Sequence, residues 1–295
     1  MKKGMILITF FVLVTFAFFV FNFFNQNDQL IKPQLISDAG ILPSASFEKV
    51  ITNALDGTKG AYAVVIKNMS NGKNYVLNQD KVFEPGSLYK LWLMGTVFEA
   101  IQKGEIKEDE ILSQKIEILN KKFEIDEEET ELTEGEVTMT ISSALNQMIT
   151  ISHNYAALLL TEKVGNSKMK KFMQENGFND SDLGKPPETV AKDIALFFEK
   201  LYIGEIVSPD SSRRMIDLLK KQQLNDGLPK YLPKDIEVAH KTGEIGYFKH
   251  DAGIVFTPKG DYIIVVLSES ESPLGAQERI AEVSRVVYEY FNRQK

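Results

Sequence analysis

The chain of 295 residues contains no cysteine. That excludes disulfides, thiolate metal sites, cysteine nucleophiles and lipid attachment through cysteine, and it leaves the redox compartment open. Histidine is scarce. Only His153, His240 and His250 occur, and only the last two lie close in sequence, so a histidine-built hydrolytic metal site is a poor reading. No basic stripe is present. Residues 1–24 hold Lys2 and Lys3 as their only charges, so the remainder, with 32 of the 34 basic residues and all 41 acidic ones, stands at −9. An acidic body is a poor partner for phosphate backbones, and nucleic acid is not expected as a ligand. Internal repeats and long low-complexity tracts are also missing.

The longest apolar run is Met5–Phe24, broken only by Thr9, Thr15 and Asn22. A helix of that length, rising about 1.5 Å per residue, spans roughly 30 Å and matches a bilayer core. Lys2 and Lys3 ahead of it favour a cytoplasmic N-terminus. A cleaved signal peptide is the rival reading, but Phe18–Gln29 lacks the small-residue pattern that cleavage wants. Both readings export the rest of the chain. Residues 5–24 are therefore expected to be a single-pass anchor in the cell membrane. Residues 25–41, polar and containing Pro33, are expected to be a tether, and residues 42–295 an extracytoplasmic domain.

Within that domain the hydrophobic period changes twice. Ser44–Leu55 carries Phe47, Val50, Ile51 and Leu55 at helical spacing. Gly60–Lys67 and Lys73–Leu77 read as strands around the turn Ser70-Asn71-Gly72. Ser87–Lys103 reads as a long apolar helix closed by Gly104, and helical patterns with loops follow to about residue 225. Ile236–Lys241, Ala252–Thr257 and Tyr262–Ser268 read as strands, with Lys259-Gly260-Asp261 as a turn, and Ala276–Phe291 as an amphipathic helix. The expected fold class is α+β. One five-stranded antiparallel sheet (42–86 and 226–295) is flanked by the first and last helices, a mostly helical lobe (87–225) stands beside it, and a binding cleft lies between the two. Glu124–Glu136 holds eight acidic residues in 13. It reads as a solvated surface loop, since it lacks the ordered Asp/Asn and Gly pattern of a calcium loop.

Three short segments carry candidate chemistry. Ser87 and Lys90 in Pro85-Gly86-Ser87-Leu88-Tyr89-Lys90 share a helical face. A serine hydroxyl needs a base, and a lysine serves as one when desolvation or neighbouring cations lower its pKa. A helix start would also offer backbone N–H groups to an oxyanion. Alone, the pair also reads as a helix cap and a surface lysine, and the same spacing recurs at Ser167–Lys170. Ser152-His153-Asn154 interrupts two apolar runs, either as polar groups facing a cleft or as a solvated turn. His240-Lys241-Thr242-Gly243 ends a strand. There a lysine and a hydroxyl could hold a carboxylate, and a free edge could pair with an extended peptide. The alternative is a solvated strand end.

Taken in order, Ser87-x-x-Lys90, Ser152-x-Asn154 and Lys241-Thr242-Gly243 resemble the three-motif signature of class A β-lactamases and penicillin-binding proteins. Asn154–Leu160 and His250–Val255 resemble the stretches after the second and third motifs, and the likeness covers residues 42–294. The resemblance implies an acyl-serine hydrolase acting on β-lactam amides or D-alanyl peptides. Ser87 would be the nucleophile and Lys90 would help to deprotonate it. Ser152 would relay a proton to the leaving nitrogen. Asn154 would bind the substrate's side-chain amide, with Lys241, Thr242 and Gly243 at the carboxylate end. The N–H groups of Ser87 and Glu244 would form the oxyanion hole. No cofactor or metal is expected, and the catalytic domain is expected to be monomeric.

Two departures from the family pattern stand out. His153 replaces the Asp of Ser-Asp-Asn and is expected to be a hydrogen-bonded structural residue. The loop that in class A β-lactamases carries a Glu-Pro-x-Leu-Asn motif, whose Glu activates the deacylating water, is shortened here to Leu183-Gly184-Lys185-Pro186-Pro187-Glu188-Thr189. Glu188 is expected to serve as a first-turn helix acid and not as the missing base. The resemblance thus implies fast acylation and slow release. A catalytically inert envelope module that binds wall peptides or a protein is the alternative.

Overall fold

Strands from both ends of the chain meet in one sheet, as their period-2 patterns require. The computed structural model describes residues 46–125 and 130–293. The expected anchor, the tether and residues 42–45 lie outside them. Among the described residues no helix is long and apolar enough to cross a membrane.

The main sheet is antiparallel, in the order β2 (Asn74–Leu77), β1 (Ala61–Asn68), β9 (Tyr262–Glu269), β8 (Phe248–Val255), β7 (Val238–Ile245). It is the five-stranded sheet expected from the sequence. Asn68 Oδ1 accepts from the N–H groups of Ser70 and Asn71 at 3.0 Å each, which pins the β1–β2 turn. β1 and β9 are buried on both faces and read as nearly continuous apolar runs. One face is covered by α1 (Phe47–Leu55), capped by Ser46, and by α9 (Pro273–Arg293). The other face is covered by α7 (Ala191–Tyr202).

The lobe is built on α2 (Lys90–Gln102), around which lie α3 (Ile116–Phe123), α4 (Ile141–Thr150), α5 (Asn154–Val164), α6 (Asn166–Asn176) and α8 (Pro209–Leu219). Almost every residue of α2 is buried, so it is apolar all round, as a central helix must be. Trp92 stacks on Phe178 with centroids 4.7 Å apart and meets Phe197 edge-on. Each such side chain contributes roughly 1.5–3 kcal/mol by leaving water. Gly95 lets α6 approach, since a Cβ there would lie 2.2 Å from the Phe172 ring.

The structure corrects several sequence expectations. The 87–103 helix is two pieces, a 3-10 turn at Gly86–Tyr89 followed by α2. β7 does not stop at Lys241 but continues to Ile245, and β8 starts at Phe248, because Thr242↔Asp251 and Gly243↔His250 continue the ladder to a tight turn at Gly246. The structure also adds two small two-stranded sheets: β4 (Ile111–Lys115) pairs β5 (Glu136–Thr140), and β3 (Val82–Phe83) pairs β6 (Thr189–Val190).

Candidate active site

The Ser87 turn and the edge strand β7 are pressed together by glycine at both contact points. Gly86 has φ +49°, and a Cβ on it would lie 2.7 Å from the Glu244 nitrogen. A Cβ on Gly243 would lie 2.6 Å from the Pro85 carbonyl. The backbone at Ser87 and at Glu244 is thereby brought side by side. His250 clips the approach to this turn. Its Nδ1 accepts the Ser268 N–H at 3.1 Å, so Nε2 carries the proton and donates to the Glu84 carbonyl at 2.8 Å. Burial pushes this imidazole down to about 4, which keeps it neutral and structural.

Lys90, fully buried at the start of α2, reaches the gap between α4 and α5. Its Nζ donates to the Ser152 carbonyl and to Asn154 Oδ1, both at 2.6 Å, and lies 3.2 Å from Ser152 Oγ. Ser152 sits at φ +59°. A non-glycine residue held there stores about 1–3 kcal/mol, sustained by the surrounding contacts. From the sheet side, fully buried Lys241 places Nζ 3.0 Å from Ser152 Oγ and donates to its neighbour's Thr242 carbonyl at 2.9 Å. One hydroxyl thus stands between two amines.

Burial pushes Lys90 down to about 7, with the Glu131 carboxylate acting the other way. Lys241 is also lowered to about 7, by burial and then by the Lys90 charge, against the pull of Asp251. A neutral amine has two N–H bonds and one lone pair. On Lys90 the two 2.6 Å contacts use both hydrogens and leave the lone pair for a hydroxyl proton. Behind Lys241, buried Asp251 pairs with His240 Nδ1 at 2.8 Å and accepts the Leu228 N–H at 2.8 Å.

The expected residues therefore converge. Lys90, Ser152, Asn154 and Lys241 are joined by hydrogen bonds, and the Ser87 turn abuts Gly243 and Glu244. His153 caps α5, its Nδ1 accepting the Ala156 N–H at 3.2 Å. Glu188 is not in a helix first turn. It is exposed and forms a two-way backbone bridge with Asp182, closing the short loop, while Asp193 is the first-turn acid of α7. Among the described residues no group of three or more His, Asp or Glu could hold a metal ion.

Three features escaped the sequence reading. Glu131, from the acidic run, accepts from Asn154 Nδ2 at 2.7 Å. His250 has the structural role given above. Lys249 is largely buried and ion-paired with Glu244, and it lines a cavity of about 280 Å³ beside Thr242 and α9. Only the 250 position had a sequence signal, as part of a family-like strand.

A sheet edge facing a helical lobe, with serines and desolvated lysines at the seam, is the architecture of a serine hydrolase. The model of the beta-lactamase enzyme family matches residues 46–291, and the chain belongs to that family. A beta-lactamase from Sphaerobacter thermophilus is 24% identical, over 83% of this chain and 97% of that one, with a TM-score of 0.74. PBP-A is 25% identical over 83% and 95%, with a TM-score of 0.73. A PBP-A mutant, solved as an acyl-enzyme complex with penicillin G, gives 25%, 83%, 96% and 0.73. No curated protein matches the sequence.

Proposed function

We propose that this hydrolase is anchored in the membrane by residues 5–24, works outside the cytoplasm, and is acylated on Ser87 by β-lactams or D-alanyl peptides faster than it is deacylated. The carrying observation is the Lys90 amine, desolvated and held by two carbonyl acceptors at 2.6 Å within reach of Ser152. Ser87 Oγ attacks the substrate carbonyl carbon while its proton passes to Lys90 Nζ. The backbone N–H groups of Ser87 and Glu244 hold the resulting oxyanion. The C–N bond then breaks. The leaving nitrogen takes the Ser152 hydroxyl proton, the proton that Lys90 took from Ser87 replaces it, and Lys241 keeps its own charge. Lys241 and Thr242 hold the substrate carboxylate, and Asn154 holds its side-chain amide.

Slow release is supported by the short loop. Its carboxylate, Glu188, sits exposed in the Asp182 bridge, where the β-lactamase pattern would supply a base for water. The acyl-enzyme complex described for the PBP-A mutant agrees with a stable ester in a similar fold. Mass spectrometry of the intact protein after a penicillin G pulse tests the reading. A one-to-one adduct persisting over many minutes, absent from Ser87→Ala, is expected. Equal adduct on Ser87→Ala removes the nucleophile, and loss of the adduct within seconds removes slow release.

A further inference from the structure

Asn154 is committed at both ends. Oδ1 accepts from Lys90, and Nδ2 donates to Glu131 Oε1 at 2.7 Å. Asn154 and Glu131 are both exposed, so this second contact lies where solvent and substrate have access. Nearby, Glu124 is neutralised by Lys185, but among the described residues no ion pair includes Glu131. Its carboxylate is held by the Asn154 amide and lies within electrostatic reach of the Lys90 amine, with no direct ion pair.

We propose that Glu131 makes the acyl-side-chain end of the cleft a subsite for cationic groups, so that the enzyme prefers substrates carrying an ammonium next to the side-chain amide. The proposal rests on the acyl-serine reading above. Asn154 Nδ2 has a second hydrogen for a neutral side-chain carbonyl, which sets that side chain beside the Glu131 carboxylate. An ammonium on the same side chain takes that carboxylate as a charge-assisted partner. A carboxylate on the side chain meets like charge and is disfavoured.

Three penicillins share the nucleus and the phenyl ring and differ at one carbon of the side chain: ampicillin carries an ammonium there, benzylpenicillin a hydrogen, carbenicillin a carboxylate. The second-order rate of Ser87 acylation is measured for each with the full-length protein, on the acid side of the α-amino range so that the ammonium keeps its proton. The order ampicillin, benzylpenicillin, carbenicillin is expected, each step about threefold to fivefold, the scale of an exposed ion pair. In Glu131→Gln the three rates converge, and in Glu131→Lys the order inverts. Equal rates in the unaltered protein overturn the subsite. So does a Glu131→Gln variant that changes all three rates by one factor, since that is the signature of Glu131 acting only through Lys90. No adduct with any penicillin overturns the acyl-serine reading itself, and the subsite with it.

Discussion

Lys90 and Lys241 sit fully buried on the seam between sheet and lobe, joined through Ser152 by bonds from two different elements, whereas the segments at the mouth, Glu131 and the 183–188 loop, are tied by exposed groups and surface ion pairs. The seam is where desolvation alters acid–base behaviour. Both amines are held near 7 against an ordinary 10.5. Exposed ion pairs such as Lys185–Glu124 are screened by solvent and contribute little to stability. On the acyl-serine proposal, forming the acyl-enzyme would draw on the packed half of the cleft, and releasing it on the half that here is short and solvated.

The sharpest way to break that contrast is Lys90→Met. If the seam supplies the base, acylation falls by about 10³-fold, within the range of general-base loss, with the fold retained by circular dichroism. The pH profile gives the sign. The two amines face one hydroxyl and lose their protons as a pair, and the singly protonated form has both a base and a charge for the substrate carboxylate. Acylation should rise through about 7 and fall as the second proton leaves. Lys90→Met should erase the rising limb. Stability should move with the same groups. The folded protein releases protons near 7 that the unfolded chain keeps to about 10.5, so stability rises with pH across that window. A flat acylation profile between pH 5 and 9, all ~1 unit steps measured by penicillin labelling, would detach the buried amines from the chemistry.

Next in size is Gly86→Ala, at the junction of the Ser87 turn and β7. The φ of +49° and the 2.7 Å approach of a Cβ to the Glu244 nitrogen leave no room for a methyl group. The left-handed conformation alone costs about 1–2 kcal/mol, and parting Ser87 from Glu244 should weaken oxyanion binding by about 10²-fold in rate. Thermal melting and acylation kinetics read the two losses separately. A variant with normal acylation would show that the oxyanion is held elsewhere.

The motifs were legible because they need particular side chains in a particular order, and the five strands because β1 and β9 are near-continuous apolar runs. The end of β7 was not. Thr242, Gly243 and Glu244 have no local strand signal, and the ladder to β8 extends them. β4 and β5 were hidden for a related reason: both alternate in burial, but apolar Ile111 sits on the exposed face and polar Gln114 on the inner one, so the residue types do not show the alternation. The 3-10 turn at Ser87 depends on how closely Gly86 and Gly243 pack, which periodicity does not record. Glu131 carried no signal either, because its partner Asn154 belongs to a different segment and an acidic run reads as solvated until its neighbours are known.

The smallest effect sharpens the comparison from inside the second motif. His153 lies between two residues that touch Lys90, yet its own ring turns to α5 and accepts the Ala156 N–H at 3.2 Å. A cap contributes about 0.5–2 kcal/mol, and it also orients the first turn from which Asn154 projects. His153→Ala should therefore lower stability by about 1 kcal/mol in urea titration and change acylation only a few-fold. His153→Asn, another side chain able to cap, should recover most of the stability. A loss of acylation as deep as that of Lys90→Met, with stability intact, would move His153 from the frame of the site into its proton path, and the division between a catalytic seam and its supporting caps would fail at that residue.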